Sequence, residues 1–178
     1  MRYLFNSLHF KYRLIADRDL QHFVDIYTNE QLMQFVSDPV SEKDAKSLFE
    51  QFSRFNRVRP QRHFLFSVIN ENSQELVGFC GVNSIKKDKT ISLKIGEIGV
   101  MLMESATGKG IGTEVLLALV DYCFQELGFE KLVGPPSPEN IASIKMLEKA
   151  GFRKESVLQS HLTIKGERFD TPLYALYI

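Results

Sequence analysis

The segment from Ile95 to Thr113 constrains the fold of this chain more than any other part of the sequence. It starts as an apolar strand pattern, breaks at a few polar residues, and then places glycine at every second position, at Gly108, Gly110 and Gly112. Glycine adopts dihedral angles that a Cβ atom would forbid, so the backbone can come close to a ligand. A helix beginning near Lys109 would direct unpaired N–H groups and a positive dipole end to the same point. The segment therefore predicts a strand, a turn that binds an anion such as phosphate, and a helix, with Lys109 adding a positive charge.

Two well-known phosphate-binding loops do not fit this segment. A P-loop requires glycine five positions before the Gly-Lys pair, where this chain has Met103, and Ser or Thr where it has Gly110. The dinucleotide fingerprint G-x-G-x-x-G fails as well, because the run here is G-x-G-x-G and follows several predicted strands.

The pattern that remains, [Q/R]-x-x-G-x-[G/A] after a strand, resembles the pyrophosphate loop of the GNAT acetyltransferases. Thr107 departs from it, because the family usually has Gln or Arg at that place. Downstream, residues 137–152, SPENIASIKMLEKAGF, resemble the family's second signature, an Asn-x-x-Ala/Ser helix that ends in Lys-x-Gly-Phe. Upstream, GFCGV at 78–82 and GEIGVML at 96–102 resemble the third and fourth strands of the RimJ/RimL-like branch. The resemblance covers nearly the whole chain.

This resemblance implies a fold. It predicts one mixed α/β (α+β) domain over residues 1–178, the GNAT fold, with a central mixed, mostly antiparallel sheet of about seven strands flanked by helices. In that fold the fourth and fifth strands splay apart, and the pantetheine arm of the cofactor pairs with the fourth. Two prolines, Pro135 and Pro136, remove backbone donors where the fifth strand would otherwise continue, which agrees with early termination of that strand.

The resemblance also implies acetyl-CoA as the co-substrate, no metal, and a primary amine as the acceptor. It assigns cofactor binding to the fourth strand, the glycine-rich loop and the later helix: Val100, Met101, Leu102, Thr107, Gly108, Lys109, Gly110, Ile111, Gly112, Thr113 and Asn140. For Asn140 two interpretations stay open, since it could bind the pantetheine amide or a water, or only cap its helix.

Two proton-handling residues are expected in the same site. Glu97 lies on the fourth strand where many relatives carry a carboxylate that accepts the amine proton; the alternative is a Glu held by a structural partner. Leu147 stands where many relatives have a tyrosine that serves the leaving thiolate. The RimJ/RimL-like branch often uses a serine on this helix instead, and Ser143 fits that role, unless its hydroxyl bonds back to a carbonyl one turn earlier.

The spacing of apolar residues predicts the individual strands and helices. Strands are expected at 9–15, 63–69, 76–84, 90–103, 131–134, 152–164 and 168–177. Helices are expected after Asp17, Ser41 and Ser137 as capping residues, over 29–36, and from Gly110 to Leu127. The stripe Ala45, Leu48, Phe49, Phe52 and Phe55 is interpreted as core or as one wall of the acceptor cleft. Lys86 to Lys89 are predicted to form the polar turn of a hairpin between two of these strands.

Charge and cysteine content exclude several function classes. There are 22 Lys and Arg residues and 22 Asp and Glu residues, so the chain has no net positive charge that would attract nucleic acid or an anionic membrane. Cys80 and Cys123 lack the spacing of a metal site or disulfide framework and are interpreted as buried thiols. The histidines 9, 22, 63 and 161 form no recognisable cluster and are interpreted as structural. No signal peptide or membrane span is evident, so we expect a cytoplasmic protein. As to oligomeric state, we expect a monomer or a homodimer.

Two function classes remain. The first is an acetyl-CoA-dependent N-acetyltransferase acting by direct attack of a primary amine, either a protein N-terminus or a small amine such as an aminoglycoside, polyamine or amino acid. The second is a non-catalytic CoA-binding or interaction protein on the same fold, for which Thr107 and Leu147 are the arguments. Steady release of free CoA in the presence of amines distinguishes them.

Overall fold

The structure, a computed structural model, describes residues 2–85 and 93–178. The lysine-rich turn predicted at Lys86 to Lys89 lies outside these ranges, as does the beginning of the strand predicted from Thr90. Within the described ranges, eight strands form one sheet: β1 (Phe5–Asn6), β2 (Phe10–Leu14), β3 (His63–Asn70), β4 (Leu76–Ser84), β5 (Ile95–Leu102), β6 (Lys131–Gly134), β7 (Arg153–Ile164) and β8 (Glu167–Tyr177). Their order is β1-β2-β3-β4-β5-β6-β8-β7, and only the β5–β6 pair is parallel.

Five helices of the described chain flank this sheet: α1 (Leu20–Tyr27), α2 (Glu30–Met33), α3 (Glu42–Phe55), α4 (Ile111–Gln125) and α5 (Ile141–Lys149). Two 3₁₀ turns, Asp17–Asp19 and Glu104–Ala106, precede α1 and the glycine-rich loop. No helix in the described ranges is both long and apolar enough to cross a bilayer.

The predicted mixed, mostly antiparallel sheet is confirmed, with one strand more than the expected seven. The additional strand is β1, whose two residues are too few to show the apolar–polar alternation that predicts a strand. Aromatic packing holds it, because the Phe5 ring stacks on Tyr12 and Tyr122 at centroid distances of 4.3 and 4.2 Å.

Alternation along the strands buries both faces of the sheet. Cys80 and Val82 of β4 join the core under α4 and α5, whereas Phe79 joins a second core under α1 and α3. Phe49 of α3 is buried in that second core, with Leu48 and Phe52 packed at its margin. The α3 stripe is therefore core and not a wall of the cleft described below.

Two of the predicted helix starts are wrong. Asp17 caps no helix; the carboxylate of Asp19 accepts the Ala16 N–H at 2.9 Å and holds the turn before α1. Likewise α5 does not begin after Ser137, because Asn140 turns the chain and its Oδ1 accepts the Ser143 N–H at 3.0 Å. Asn is as strong a cap as Ser, so the later of two capping residues starts this helix.

The helix start predicted at Ser41 is confirmed. Its Oγ accepts the Asp44 N–H at 3.1 Å, and the same hydroxyl donates to the Asp44 carboxylate at 2.6 Å. This arrangement is the capping box with Asp in place of Glu.

The fourth and fifth strands of the sequence prediction are β5 and β6, and they diverge as expected. They pair only over Ile95 to Glu97 against Lys131 to Val133. β6 then ends at Gly134 before two prolines, whereas β5 continues to Leu102 while still paired with β4 on its other side. The second edge of β5 is consequently free beyond Glu97, and a cleft opens there.

Candidate active site

The cleft at the splay has a volume of about 640 Å³ and is lined by five parts of the chain. β5 contributes residues 97–102, the glycine-rich loop contributes its backbone, and the first turns of α5 form the opposite side. The α1–α2 segment and the end of β7 close the remaining wall. Most of the predicted site residues thus meet in one cavity, although they lie up to 46 positions apart, as from Glu97 to Ser143.

The glycine-rich loop has the geometry of an anion-binding turn. Gly108 and Gly110 adopt φ values of +72° and +77°, and a Cβ atom added at either would meet nothing within 4 Å. In the described chain, the N–H groups of Gly110, Ile111 and Gly112 find no acceptor at the start of α4. Open space thus lies in front of unpaired donors at the positive end of a helix.

Gly112 serves a different purpose from the other two glycines. It lies inside α4 at ordinary helical angles, and a Cβ there would come 3.0 Å from Met146 Sδ of α5. The absent side chain therefore lets α4 and α5 approach each other beside the cleft.

Two of the predicted cofactor residues do not line the cleft. Lys109 is exposed, and its Nζ donates to the Ser105 carbonyl at 2.8 Å. Ile111 packs against the core under α4. Thr107 and Thr113 do line it, and Thr107 Oγ1 donates to the Glu104 carbonyl at 2.8 Å.

Glu97 lies where β5 and β6 separate, partly buried, with its side chain on the cleft. Its backbone pairs with Asn83 on one side and Val133 on the other. Among residues 2–85 and 93–178, its carboxylate has no hydrogen bond or ion pair, so no structural partner accounts for it. The group is available to a ligand.

Ser143 faces the same cleft from α5. Its N–H is bonded to Asn140, but its Oγ has no hydrogen-bond partner in the described chain, so the bond back to a helical carbonyl is not made. Asn140 combines its capping role with a place on the cleft. Leu147, one turn further, is buried and lines the cleft with an apolar side chain.

One wall of the cleft was missed by the sequence analysis. It consists of side chains from the α1–α2 segment and β7: Tyr27, Leu32, Phe35, Val36, His161 and Leu162. His161 was interpreted as structural, yet it is exposed on the cleft. A bulge places it there, because residues 159–161 all lie opposite Asp170, whose Oδ1 accepts the Ser160 N–H at 2.8 Å. No pattern in the sequence marks that bulge.

The remaining reactive groups do not compete for a catalytic role. Burial raises the pKa of the Cys80 thiol well above its ordinary value and that of Cys123 to about 12, which keeps both protonated. The prediction of buried thiols is confirmed. Burial likewise raises the pKa of Tyr27 to about 12, so its hydroxyl stays neutral. The described residues contain no group of three or more His, Cys, Asp or Glu that could hold a metal ion.

Comparison with known proteins identifies the family. The sequence model of the "Acetyltransferase (GNAT) domain" matches residues 9–153. This chain belongs to the GNAT acetyltransferase family. The predicted resemblance is confirmed, and the splayed strands and glycine-rich loop described above are the features of this GNAT domain that form its cleft.

Relatives of this GNAT chain carry acetyltransferase names. It is 33% identical over 111 residues to the uncharacterized N-acetyltransferase p20 of Bacillus licheniformis, a match that covers 62% of this chain and 60% of p20. The [ribosomal protein uS5]-alanine N-acetyltransferase of Escherichia coli is 23% identical over 168 residues, covering 92% and 85% of the two chains. The chain thus spans 60% of the length of p20, which is less than two thirds.

A solved structure shows the same fold. Spermidine N-acetyltransferase from Vibrio cholerae, in complex with CoA and spermine, superposes with a TM-score of 0.80 at 19% identity and covers 95% of each chain. The predicted GNAT fold with its mixed sheet is thereby confirmed.

Proposed function

We propose that this GNAT protein is an acetyl-CoA-dependent N-acetyltransferase that moves an acetyl group to a primary amine by direct attack. The observation that carries the proposal is the meeting of an anion-binding loop, an unpaired carboxylate and an unpaired hydroxyl in one cleft, at Gly110, Glu97 and Ser143. Names of sequence relatives support it, and so does a CoA complex of a protein with the same fold.

The loop fits the pyrophosphate of acetyl-CoA. Unpaired N–H groups of Gly110, Ile111 and Gly112 would donate to phosphate oxygens, with Thr107, Gly108 and Thr113 beside them. Lys109 is exposed on the same loop, and its flexible side chain would add a positive charge once its ammonium leaves the Ser105 carbonyl.

The free edge of β5 fits the rest of the cofactor. Val100 and Leu102 direct their backbone groups to this free edge, where the amides of a pantetheine arm would pair with them, whereas the backbone of Met101 is paired with Phe79 of β4. Asn140 lines the same cleft. Bound in this way, acetyl-CoA supplies an activated acetyl thioester, and the chain supplies position and proton handling.

Glu97 is proposed as the proton acceptor for the amine. The nitrogen must lose a proton as its bond to the acetyl carbon forms, and the Glu97 carboxylate takes that proton directly or through a water. Ser143 is proposed to donate a hydrogen bond to the sulfur as the C–S bond breaks. Leu147 cannot do so, which leaves the serine as the hydroxyl of α5 on this cleft.

A non-catalytic CoA-binding protein is the competing proposal, and the apolar, buried Leu147 is the observation that favours it. The two are separated by following the thiol of free CoA while purified protein is incubated with acetyl-CoA and a panel of primary amines. An enzyme gives steady, amine-dependent release over many turnovers. A binding protein gives saturable affinity for acetyl-CoA with no release above the protein-free rate.

A further inference from the structure

One wall of the cleft that contains Glu97 is predominantly apolar. The α1–α2 segment places Leu32, Phe35 and Val36 on it, and Leu162 of β7 faces the same space. Tyr27 adds an aromatic ring that stacks on Phe23 at a centroid distance of 4.2 Å. An amine that reaches Glu97 with its nitrogen must therefore leave its substituent against hydrocarbon and aromatic groups.

This wall is held in place by the protein itself. Asn29 Oδ1 accepts the N–H groups of Gln31 and Leu32 at 2.9 and 3.0 Å and fixes the start of α2. The Val40 N–H donates to the Tyr27 carbonyl at 3.0 Å, which closes the following loop.

A second link joins this loop to the terminal hairpin. The Lys165 N–H donates to Asp38 Oδ1 at 2.7 Å, so the turn between β7 and β8 is tied to the chain beyond α2. The two halves of the apolar wall are thus connected before any acceptor binds, and little ordering cost remains for binding.

Negative charge on the described part of this surface is limited to one position. Among the cleft-lining residues that the structure describes, Glu97 carries the one carboxylate, and it is committed to the reacting nitrogen. A second ammonium group on the acceptor would then lie against Leu32, Phe35 or Val36 without a partner, which is unfavourable.

We propose, on the basis of the proposed function, that the acceptor is a primary amine with an apolar or aromatic group within a few bonds of its nitrogen. Polyamines and other polycations are disfavoured. A peptide N-terminus that begins with an apolar side chain and a small arylalkylamine both have this chemistry.

The test compares phenethylamine with spermidine as acceptors. The proposal predicts that kcat/KM is at least about ten-fold higher for phenethylamine, since removal of apolar contacts costs such factors. Equal or better use of spermidine overturns it. If phenethylamine is preferred, the dipeptide amides Phe-Gly-NH₂ and Ser-Gly-NH₂ are compared next to identify the source of the amine. Preference for Phe-Gly-NH₂ indicates a peptide N-terminus, and equal use of the two indicates a small amine.

A pair of matched variants locates the preference on this wall. Val36 and Val157 are exposed to 40% and 43%, but only Val36 lines the cleft. Val36→Glu should move the phenethylamine-to-spermidine ratio of kcat/KM toward spermidine by about ten-fold or more. Val157→Glu, on the outer part of β7, should leave the ratio within about two-fold. Equal ratios in both variants and the wild type overturn the proposal.

A binding measurement keeps this inference distinct from the proposed function. Titration calorimetry of each amine into protein saturated with CoA reports acceptor preference without turnover. Tighter binding of phenethylamine than spermidine with no acetylation would support the inference and refute the enzyme proposal. Tighter binding of spermidine than phenethylamine, together with acetylation, would refute this inference and support the enzyme proposal.

Discussion

At the scale of single residues, the proposed chemistry depends on Glu97 and on the absence of any competing partner for its carboxylate in the described chain. Glu97→Gln keeps the shape of the side chain and removes the base. We expect kcat/KM to fall by about 10²–10⁴ near neutral pH and to recover partly at higher pH, because the free amine then loses its proton in solution. A pH profile with a confirmed acceptor measures this.

The control for that variant is acetyl-CoA affinity, which should be unchanged because the glycine-rich loop is untouched. Full activity in Glu97→Gln would show that water or a group on the acceptor takes the proton.

Ser143 should behave differently from Glu97. Its Oγ has no partner in the described chain, whereas its N–H forms the helix cap with Asn140, so Ser143→Ala keeps the fold and loses only a donor. The departing thiolate is a tolerable leaving group, and we expect a loss of about ten-fold that is nearly flat with pH below a thiol pKa of about 8.5. Steady-state rates of Ser143→Ala measured across that pH range test this expectation. If its loss of activity has the same pH dependence as that of Glu97→Gln, the two residues do not have separate proton-handling roles.

At the scale of elements, the start of α4 is the part on which cofactor binding depends. Gly110→Asp places a side chain and a negative charge in the open space before the unpaired N–H groups. CoA affinity should weaken more than ten-fold, which corresponds to about 1.4 kcal/mol, by titration calorimetry.

Gly128 supplies the control for that substitution. It has a similar φ of +66°, also with nothing within 4 Å of an added Cβ, but lies just beyond the other end of α4. Gly128→Asp should destabilise the fold by a comparable backbone strain and leave CoA affinity intact. Loss of affinity in both variants would mean that the loop is not the binding site.

Elements with a strong local signal were the ones that the sequence predicted correctly. β4 and β6 have the predicted bounds, and Gly108 and Gly110 adopt the glycine-favouring angles predicted for the loop, whereas Gly112 does not. The failures have identifiable causes. Near α5 both Ser137 and Asn140 are strong helix-capping residues, and Asn140 is the one that starts the helix. β1 is too short to show the alternation of apolar and polar residues that marks a strand.

The apolar wall of the cleft was missed for a different reason. His161 reaches the cleft through a bulge whose partner is Asp170 of the neighbouring strand, and the α2 loop is fixed by Lys165 of a distant turn. Both are tertiary contacts, which no local pattern encodes. The cofactor side of the site is local in sequence and was found, whereas the acceptor side is assembled from distant segments.

At the scale of the whole molecule, a buried ion pair joins the sheet to the turn that leads into α1. Arg13 of β2 donates to both carboxylate oxygens of Asp19 at 2.6 and 2.7 Å, and Ser67 Oγ of β3 donates to Asp19 at 2.7 Å. Burial by itself would raise the pKa of Asp19, but these hydrogen bonds outweigh it and hold that pKa below its ordinary value of 3.8.

Asp19→Asn should therefore destabilise the fold strongly, since it leaves a buried guanidinium without its counter-charge. We expect a loss of about 3–5 kcal/mol in the free energy of unfolding at pH 7, measured by urea denaturation. Because the pKa of Asp19 is lower in the folded than in the unfolded protein, its charged form stabilises the fold at pH values above the unfolded pKa. This contribution is lost as the pH falls through the folded pKa, so the difference in unfolding free energy between Asp19→Asn and wild type should shrink below about pH 4. Asp25→Asn, at an exposed carboxylate bonded to Gln21, should cost less than about 1 kcal/mol. Equal effects of the two variants would contradict the account of the ion pair.

The central claim is that an acetyl group passes from acetyl-CoA to an amine in the cleft between β5 and β6. The most direct measurement supplies acetyl-CoA labelled with ¹³C in its acetyl group and an apolar primary amine, and quantifies the labelled acetamide and free CoA by mass spectrometry. The account predicts equal amounts of acetamide and free CoA, accumulating over many turnovers, with both suppressed in Glu97→Gln. Labelled acetate in place of acetamide, or acetyl-CoA that is bound but never consumed, would contradict it.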